Sequence, residues 1–292
     1  MNSVPYAFCK SVCGVLRSVR EMNEMSAGSD TNCKNWNQAA KRIWERRLDV
    51  TIFIGHADRT WNYKIEIRGN TWNNGRTISF QEFRKLNKQH FNLIDVRIGS
   101  PSFLGNRTSP LEEIGEILKF TAPCVNVSDM VISEKCTISE DDLTHLLSFY
   151  QNATFRHISC CHQNRASEQF LIAQMQTSVM KFFSIEGDGW RTEELRLAIE
   201  EFALNKDFGR IDVRSPSLVF GRAFFDALVQ KPLFRNRSMF EARFSIDVQE
   251  LMTSRYQDQS YHRSMRRIRQ DGVSVTIRQY KWLSVELENP MM

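Results

Sequence analysis

Four residues near the middle of the chain, His157, Cys160, Cys161 and His162, are of the types that bind transition metals. Their spacing argues against a shared ion, because adjacent residues of a strand point to opposite faces of a sheet. The Cys-x-x-Cys pairing that is typical of zinc sites is also absent. We therefore interpret Cys160 as a core residue and its neighbours as surface or packing residues, and we predict no metal site.

Three other groups of residues have reactive side chains, but each has a simpler structural explanation. Cys9, Cys13 and Cys33 belong to an odd, scattered set of seven cysteines, which indicates free thiols in a reducing compartment. Residues 187–190 lack the lysine and hydroxyl residue of a phosphate-binding loop. The acidic residues 140–142 suit the start of a helix. Because no hydrolase, zinc-protease or kinase motif is present, we expect a non-enzymatic protein without a cofactor.

A basic segment, residues 262–269, is a candidate binding feature, and we interpret it as a loop or a short helix. Its arginines are Arg263, Arg266, Arg267 and Arg269. A solvated loop explains them, and the alternative is a patch for nucleic acid or anionic lipid. The net charge of +5 over 292 residues is too small to indicate nucleic acid by itself. No apolar run approaches the roughly 18–20 residues of a membrane span.

The elements that would position such residues begin with two helices and a hairpin. Apolar residues at helical spacing predict helices over residues 4–20 and 34–47. Residues 48–54 and 61–67 are rich in β-branched or alternating apolar residues, which predicts a β-hairpin. We divide the chain into three parts: a helical segment (1–47), the hairpin with a short helix (48–90) and a repeat domain (91–292).

The repeat domain is predicted from a frame, apolar-x-x-apolar-x-apolar, that occurs six times. The frames begin 25 to 36 residues apart, at Phe91, Val127, Phe155, Met180, Phe208 and Met239. A helical apolar pattern follows each of the first five, and Ser79, Ser139 and Thr192 stand at N-cap positions. Strand–helix units in series predict an α/β open solenoid, because stacked units share a core that one unit cannot form. Residues 273–277 and 281–287 predict an antiparallel hairpin that closes the last repeat.

Two features of the chain carry a family resemblance. Val4 and Pro5 precede an amphipathic helix, a second helix is centred on Trp36, and irregular leucine-rich-like units follow from Phe91. In this arrangement the chain resembles the nematode F-box and F-box-associated proteins. The repeats are irregular, because the asparagine positions of regular leucine-rich repeats hold other residues here: Gly99, Lys135, Gln163, Asp188, Pro216 and Asp247.

The resemblance implies a substrate-recruiting subunit of a cullin–RING ubiquitin ligase, cytoplasmic or nuclear. In such proteins the N-terminal helices bind a Skp-type adaptor and the repeat surface binds the target. The adaptor-binding residues would be Val4, Pro5, Phe8, Val12 and Leu16, although the same residues could instead pack on the first strands. The predicted target-binding residues are polar strand residues beside core positions: His157, Ser159, Asp212 and Arg214.

Overall fold

The structure is a computed structural model. It describes residues 38–39, 41–42, 45–57, 60–69, 75–99, 108–124, 126–133, 138–162, 164–177, 179–232, 237–246, 257–259, 262–268, 274–279 and 283–288. The predicted helix over residues 4–20, with all five predicted adaptor-binding residues, lies outside the described residues. Within the predicted helix over 34–47, residues 38–39, 41–42 and 45–46 are described and are helical.

The described part of the chain contains strands and helices that alternate through its middle. The strands are β1 (Leu48–Ala57), β2 (Thr60–Gly69), β3 (Arg76–Ile78), β4 (Phe91–Gly99), β5 (Thr108–Ser109), β6 (Asn126–Ile132), β7 (Thr154–Cys161), β8 (Phe182–Glu186), β9 (Arg210–Arg214), β10 (Val219–Phe220), β11 (Arg237–Phe244), β12 (Gln257–Gln259), β13 (His262–Ile268), β14 (Ser274–Gln279) and β15 (Leu283–Glu288). The helices are α1 (Phe80–Arg84), α2 (Leu111–Thr121), α3 (Glu140–Ser148), α4 (Arg165–Gln176), α5 (Glu193–Asn205) and α6 (Arg222–Gln230).

The described strands form one open, mixed sheet. Thirteen strands follow one another in the order β12-β13-β14-β15-β11-β9-β8-β7-β6-β4-β1-β2-β3, and the two-residue strands β5 and β10 pair with β2 and β11. Strands β1, β4, β6, β7, β8, β9 and β11 are parallel and lie side by side in chain order. The predicted hairpin of β1 and β2 is confirmed as an antiparallel pair.

Helices α2 to α6 follow strands of the parallel block and share one apolar core with them. Their predicted apolar residues are buried, as for Ile114 on α2, Leu146 on α3 and Phe224 on α6. Neighbouring helices α3, α4, α5 and α6 pack side by side. Three predicted helix starts are confirmed: the side chains of Ser79, Ser139 and Thr192 accept hydrogen bonds from backbone N–H groups in the first turn.

The last predicted frame is wrong in register. Met239 was assigned to the core, but Phe240 and Ala242 take the buried positions on β11, at 1% and 0% exposure. Side chains of a strand alternate with a period of two, so Met239 and Ala242, three residues apart, cannot share a face of a regular strand. Met239 therefore lies on the other face of the sheet.

Antiparallel strands complete the sheet on the C-terminal side. The predicted hairpin is confirmed: β14 pairs with β15, and β15 pairs with β11. The basic segment was predicted to be a loop or short helix, and this is wrong, because residues 262–268 form β13. Its sequence has no strand alternation, but β14 offers an edge of backbone N–H and C=O groups that a further strand can satisfy.

Buried polar side chains also join neighbouring strand–helix units. Each bonds a backbone or hydroxyl oxygen of the next or preceding unit. The bonds, of 2.6 to 3.1 Å, join Thr121 to Tyr150, Gln174 to Ala153, Lys231 to Ala203 and Ser238 to Phe208. Because buried polar groups need partners, these contacts fix how each unit sits on its neighbour.

Candidate interaction surface

The sheet has a polar face, on the side opposite the buried apolar strand residues that contact the helices. It is made of alternate strand residues, as the period of two requires. Its polar residues in β4 to β15 include Asp95, Arg97, Asp129, His157, Ser159, Ser184, Glu186, Arg210, Asp212, Arg214, Arg237, Glu241, Arg278 and Glu286. The strand register aligns these residues in rows that run across the sheet.

All four predicted target-binding residues lie on this polar face. Ser159 on β7 is registered with Ser184 on β8, which is registered with Asp212 on β9. Ser159 and Asp212 are therefore about 10 Å apart, two strand spacings. His157 and Arg214 lie in the rows on either side, and both are accessible to solvent.

A target-binding role requires Asp212 to be exposed, and the structure corrects this prediction, because the residue is only 3% exposed. Nε of Arg210 donates to both carboxylate oxygens of Asp212 at 2.9 Å. A buried carboxylate needs such a partner, since it has lost its hydration. The same hydrogen bonds raise the pKa of Arg210. Asp212 thus orients the arginine rather than contacting a partner itself.

Arg214 joins three strands of the polar face. Its Nη1 lies 3.0 Å from Oε1 of Glu186 on β8, and its Nε lies 3.9 Å from Oε1 of Glu241 on β11. Its Nη2 lies 3.7 Å from Oδ2 of Asp212. We call Arg210, Asp212, Arg214, Glu186 and Glu241 the arginine cluster. The charges hold one another in fixed positions on the sheet.

Two further acidic residues of the polar face, Asp95 and Asp129, lie side by side on β4 and β6. Asp95 accepts from Nε of Arg97 at 2.8 Å through Oδ2, while its buried Oδ1 has no hydrogen-bond partner among the described residues. Burial raises the pKa of the Asp95 carboxyl above its ordinary value. Asp129 is registered beside Asp95, and its Oδ1 lies 2.9 Å from Nδ1 of His157.

The pattern of a buried carboxylate under accessible arginines also occurs on β15. Glu286 is buried and accepts from Nη1 of Arg278 at 2.8 Å. Arg237 on β11 forms a further ion pair with the same carboxylate. Along the polar face, therefore, several carboxylates are buried, whereas the guanidinium groups that pair with them are accessible to solvent.

One row of the polar face combines apolar and charged residues. We call His157, Phe182, Arg210 and Met239 the central row, because the strand register aligns them across β7, β8, β9 and β11. Sequence reasoning found only His157. The alternating Arg-Asp-Arg pattern at 210, 212 and 214 was the available signal for Arg210, because alternate strand residues share a face. No sequence signal distinguished Phe182 from the adjacent core residue Phe183.

No family model, curated protein or solved structure matches this chain.

None of the helices that the structure describes has the length and apolar character needed to cross a membrane. Nor do any three His, Cys, Asp or Glu side chains of the described residues form a group that could hold a metal ion. Cys160 is buried in the core, and burial raises the pKa of its thiol. His162 instead lies 3.6 Å from a carboxylate oxygen of Glu168, which also accepts from Oγ1 of Thr192 at 2.7 Å.

Three of the four arginines of the predicted basic patch lie on β13, and Arg269 is outside the described residues. The register places Arg263 opposite Gln279 and Arg267 opposite Val275, whereas Arg266 is opposite Thr276. Because adjacent strand positions alternate between faces, Arg266 and Arg267 belong to opposite faces of the sheet.

Proposed function

We propose that this chain is a non-enzymatic protein-interaction module in which an irregular leucine-rich-repeat-like solenoid presents the polar face to a protein target. We further propose that it is the substrate-recruiting subunit of a cullin–RING ubiquitin ligase, acting in the cytoplasm or nucleus. In this role, residues 1–47 bind a Skp-type adaptor and the polar face binds the target.

The observation that carries this proposal is the order of the charged side chains on the polar face. Arg210 and Arg214 project from a parallel sheet and are held by carboxylates on three strands. A side chain that is already held in position loses less rotational freedom on binding, so more of its contact energy appears as affinity. Sites on strands are also positioned more sharply than sites on loops.

The adaptor role is tested by titrating the purified full-length chain with a purified Skp-type adaptor in a calorimeter. We expect binding, and we expect the double substitution Val12→Asp and Leu16→Asp to abolish it, because charge cannot be buried in an apolar interface without a partner. The matched control is Ser11→Asp with Ser18→Asp, which adds the same charge to the same segment and should bind normally.

Absence of binding by the unmodified chain would reject the ligase role. A chain that binds the adaptor equally well with and without residues 1–47 would reject the assignment of that segment. Circular dichroism of each variant shows whether the repeat domain has stayed folded.

A further inference from the structure

The central row has the composition of a protein-interface core. It consists of His157, Phe182, Arg210 and Met239, one residue on each of four adjacent strands. Aromatic residues, methionine and arginine are enriched at the centres of protein interfaces, whereas lysine, glutamate and serine are depleted. In the next row of the polar face, β7, β8 and β11 carry the depleted types Ser159, Ser184 and Glu241.

All four side chains of the central row reach solvent. Those of His157 and Arg210 are 44% and 42% exposed. Phe182 and Met239 are half-buried, and neither packs against the apolar core. Phe182 also contacts the ring of His157 edge-on, with centroids 5.8 Å apart. The row therefore presents apolar surface on both sides of a cation.

Arg210 is anchored and still able to bind. Asp212 holds it through Nε alone. Within the described part of the chain, its two terminal amino groups have no hydrogen-bond acceptor. A guanidinium held in this way is preorganised to donate both amino groups to a carboxylate of a partner.

The spacing of the row selects the shape of the partner. Strands lie about 4.8 Å apart, so the row spans about 14 Å from His157 to Met239. Helix residues i, i+3, i+7 and i+10 share a face and span about 15 Å. Four same-face residues of an extended segment would span about 20 Å, which does not fit.

We propose that the central row binds a helix of the target protein that lies across β7, β8, β9 and β11. Apolar residues of that helix contact Phe182 and Met239, and a glutamate or aspartate on the same face binds Arg210. This inference rests on the proposed function, since it specifies the kind of target that the polar face recognises.

The probe for this proposal is a library of 16-residue peptides displayed on phage and selected on the immobilised full-length chain. The recovered sequences should have apolar residues spaced three or four apart around one acidic residue. A synthetic peptide of that sequence, labelled with fluorescein, is then titrated with the chain and followed by anisotropy. Phe182→Ala should weaken its binding, because the apolar contact is lost.

Arg210→Lys is the decisive variant, because it keeps a positive charge for Asp212 but removes the two amino groups. We expect binding about tenfold weaker or worse, as for the loss of an interface arginine. Arg222 on α6 is the matched control: its Nε donates to both oxygens of Asp226 at 2.9 Å, the same geometry on the helix layer. Arg222→Lys should change the affinity by less than about twofold.

A double-mutant cycle completes the test. Replacing the acidic residue of the peptide by glutamine should weaken binding to the unmodified chain but should have little further effect on Arg210→Lys. Failure to recover peptides, recovery of basic or extended sequences, or equal binding by Arg210→Lys would overturn the proposal. If the adaptor still binds in the calorimeter, such a result rejects the helix site and leaves the proposed function standing.

Discussion

Replacing Gln174 by leucine should destabilise the protein, although leucine has a similar volume and a high helix propensity. Gln174 is fully buried, and its side chain holds the turn between α3 and β7. Its Nε2 donates to the backbone oxygen of Ala153 at 3.1 Å and of Tyr150 at 3.5 Å, and its Oε1 accepts from the N–H of Phe155 at 3.4 Å.

The expected cost follows from the groups that lose their partner. A buried donor or acceptor left without a hydrogen bond costs about 1–3 kcal/mol. Ala153 and Phe155 are buried, and two of the three bonds are long, so we expect a loss of about 2–4 kcal/mol. In a chain of this size that corresponds to a fall in Tm of about 3–7 °C.

Urea unfolding followed by circular dichroism measures this loss directly. Gln169→Leu is the control, because Gln169 lies on the same helix but is exposed, so the same substitution removes no buried bond. The reasoning fails if the two variants have the same unfolding free energy within about 0.5 kcal/mol.

Two further predictions concern pH. The raised pKa of Asp95 means that the folded protein holds this proton at a pH where the unfolded chain, with a pKa of 3.8, has lost it, so ionisation of Asp95 lowers stability as the pH rises. Asp95→Asn should therefore raise the urea midpoint at pH 7 and lose this advantage towards pH 4; parallel curves would contradict the prediction. Burial lowers the pKa of Lys231 from 10.5 to about 8, so its contribution to stability should increase between those values. Urea midpoints from pH 7 to 10.5 should show this increase in the unmodified chain and not in Lys231→Met.

Local signals in the sequence were sufficient for helices α1 to α6 and for the two hairpins. The apolar faces of α2 to α6, the N-cap of Ser139 and the pairing of β14 with β15 each depend on residues close in the chain. Such periodic and capping patterns lie within a single helix or hairpin, so they predict that element without information about its neighbours in the fold.

The errors concern properties that neighbouring strands decide. Strand β13 forms against the edge of β14, and no alternation in its own sequence indicates this. The burial of Asp212 depends on Arg210 and on the strands beside it. The frame predicts that its first and fourth residues lie on the same face of the sheet. This holds for the earlier strands, because the first residue lies before the strand or a register shift separates the two residues. On β11 the strand is regular at this point, so Met239 lies on the other face. The central row is likewise a product of register between strands.

The order of the parallel strands also bears on how the chain is made. From β6 to β11, each strand of the parallel block pairs with the block strand synthesised before it, so a new unit can dock as soon as it leaves the ribosome. At about 5–20 residues per second, one unit would emerge every few seconds. On its other side β11 pairs with β15, which emerges after all the other described strands. A product that stops before Leu283 would leave the β11 edge open to other chains, so truncated forms should self-associate.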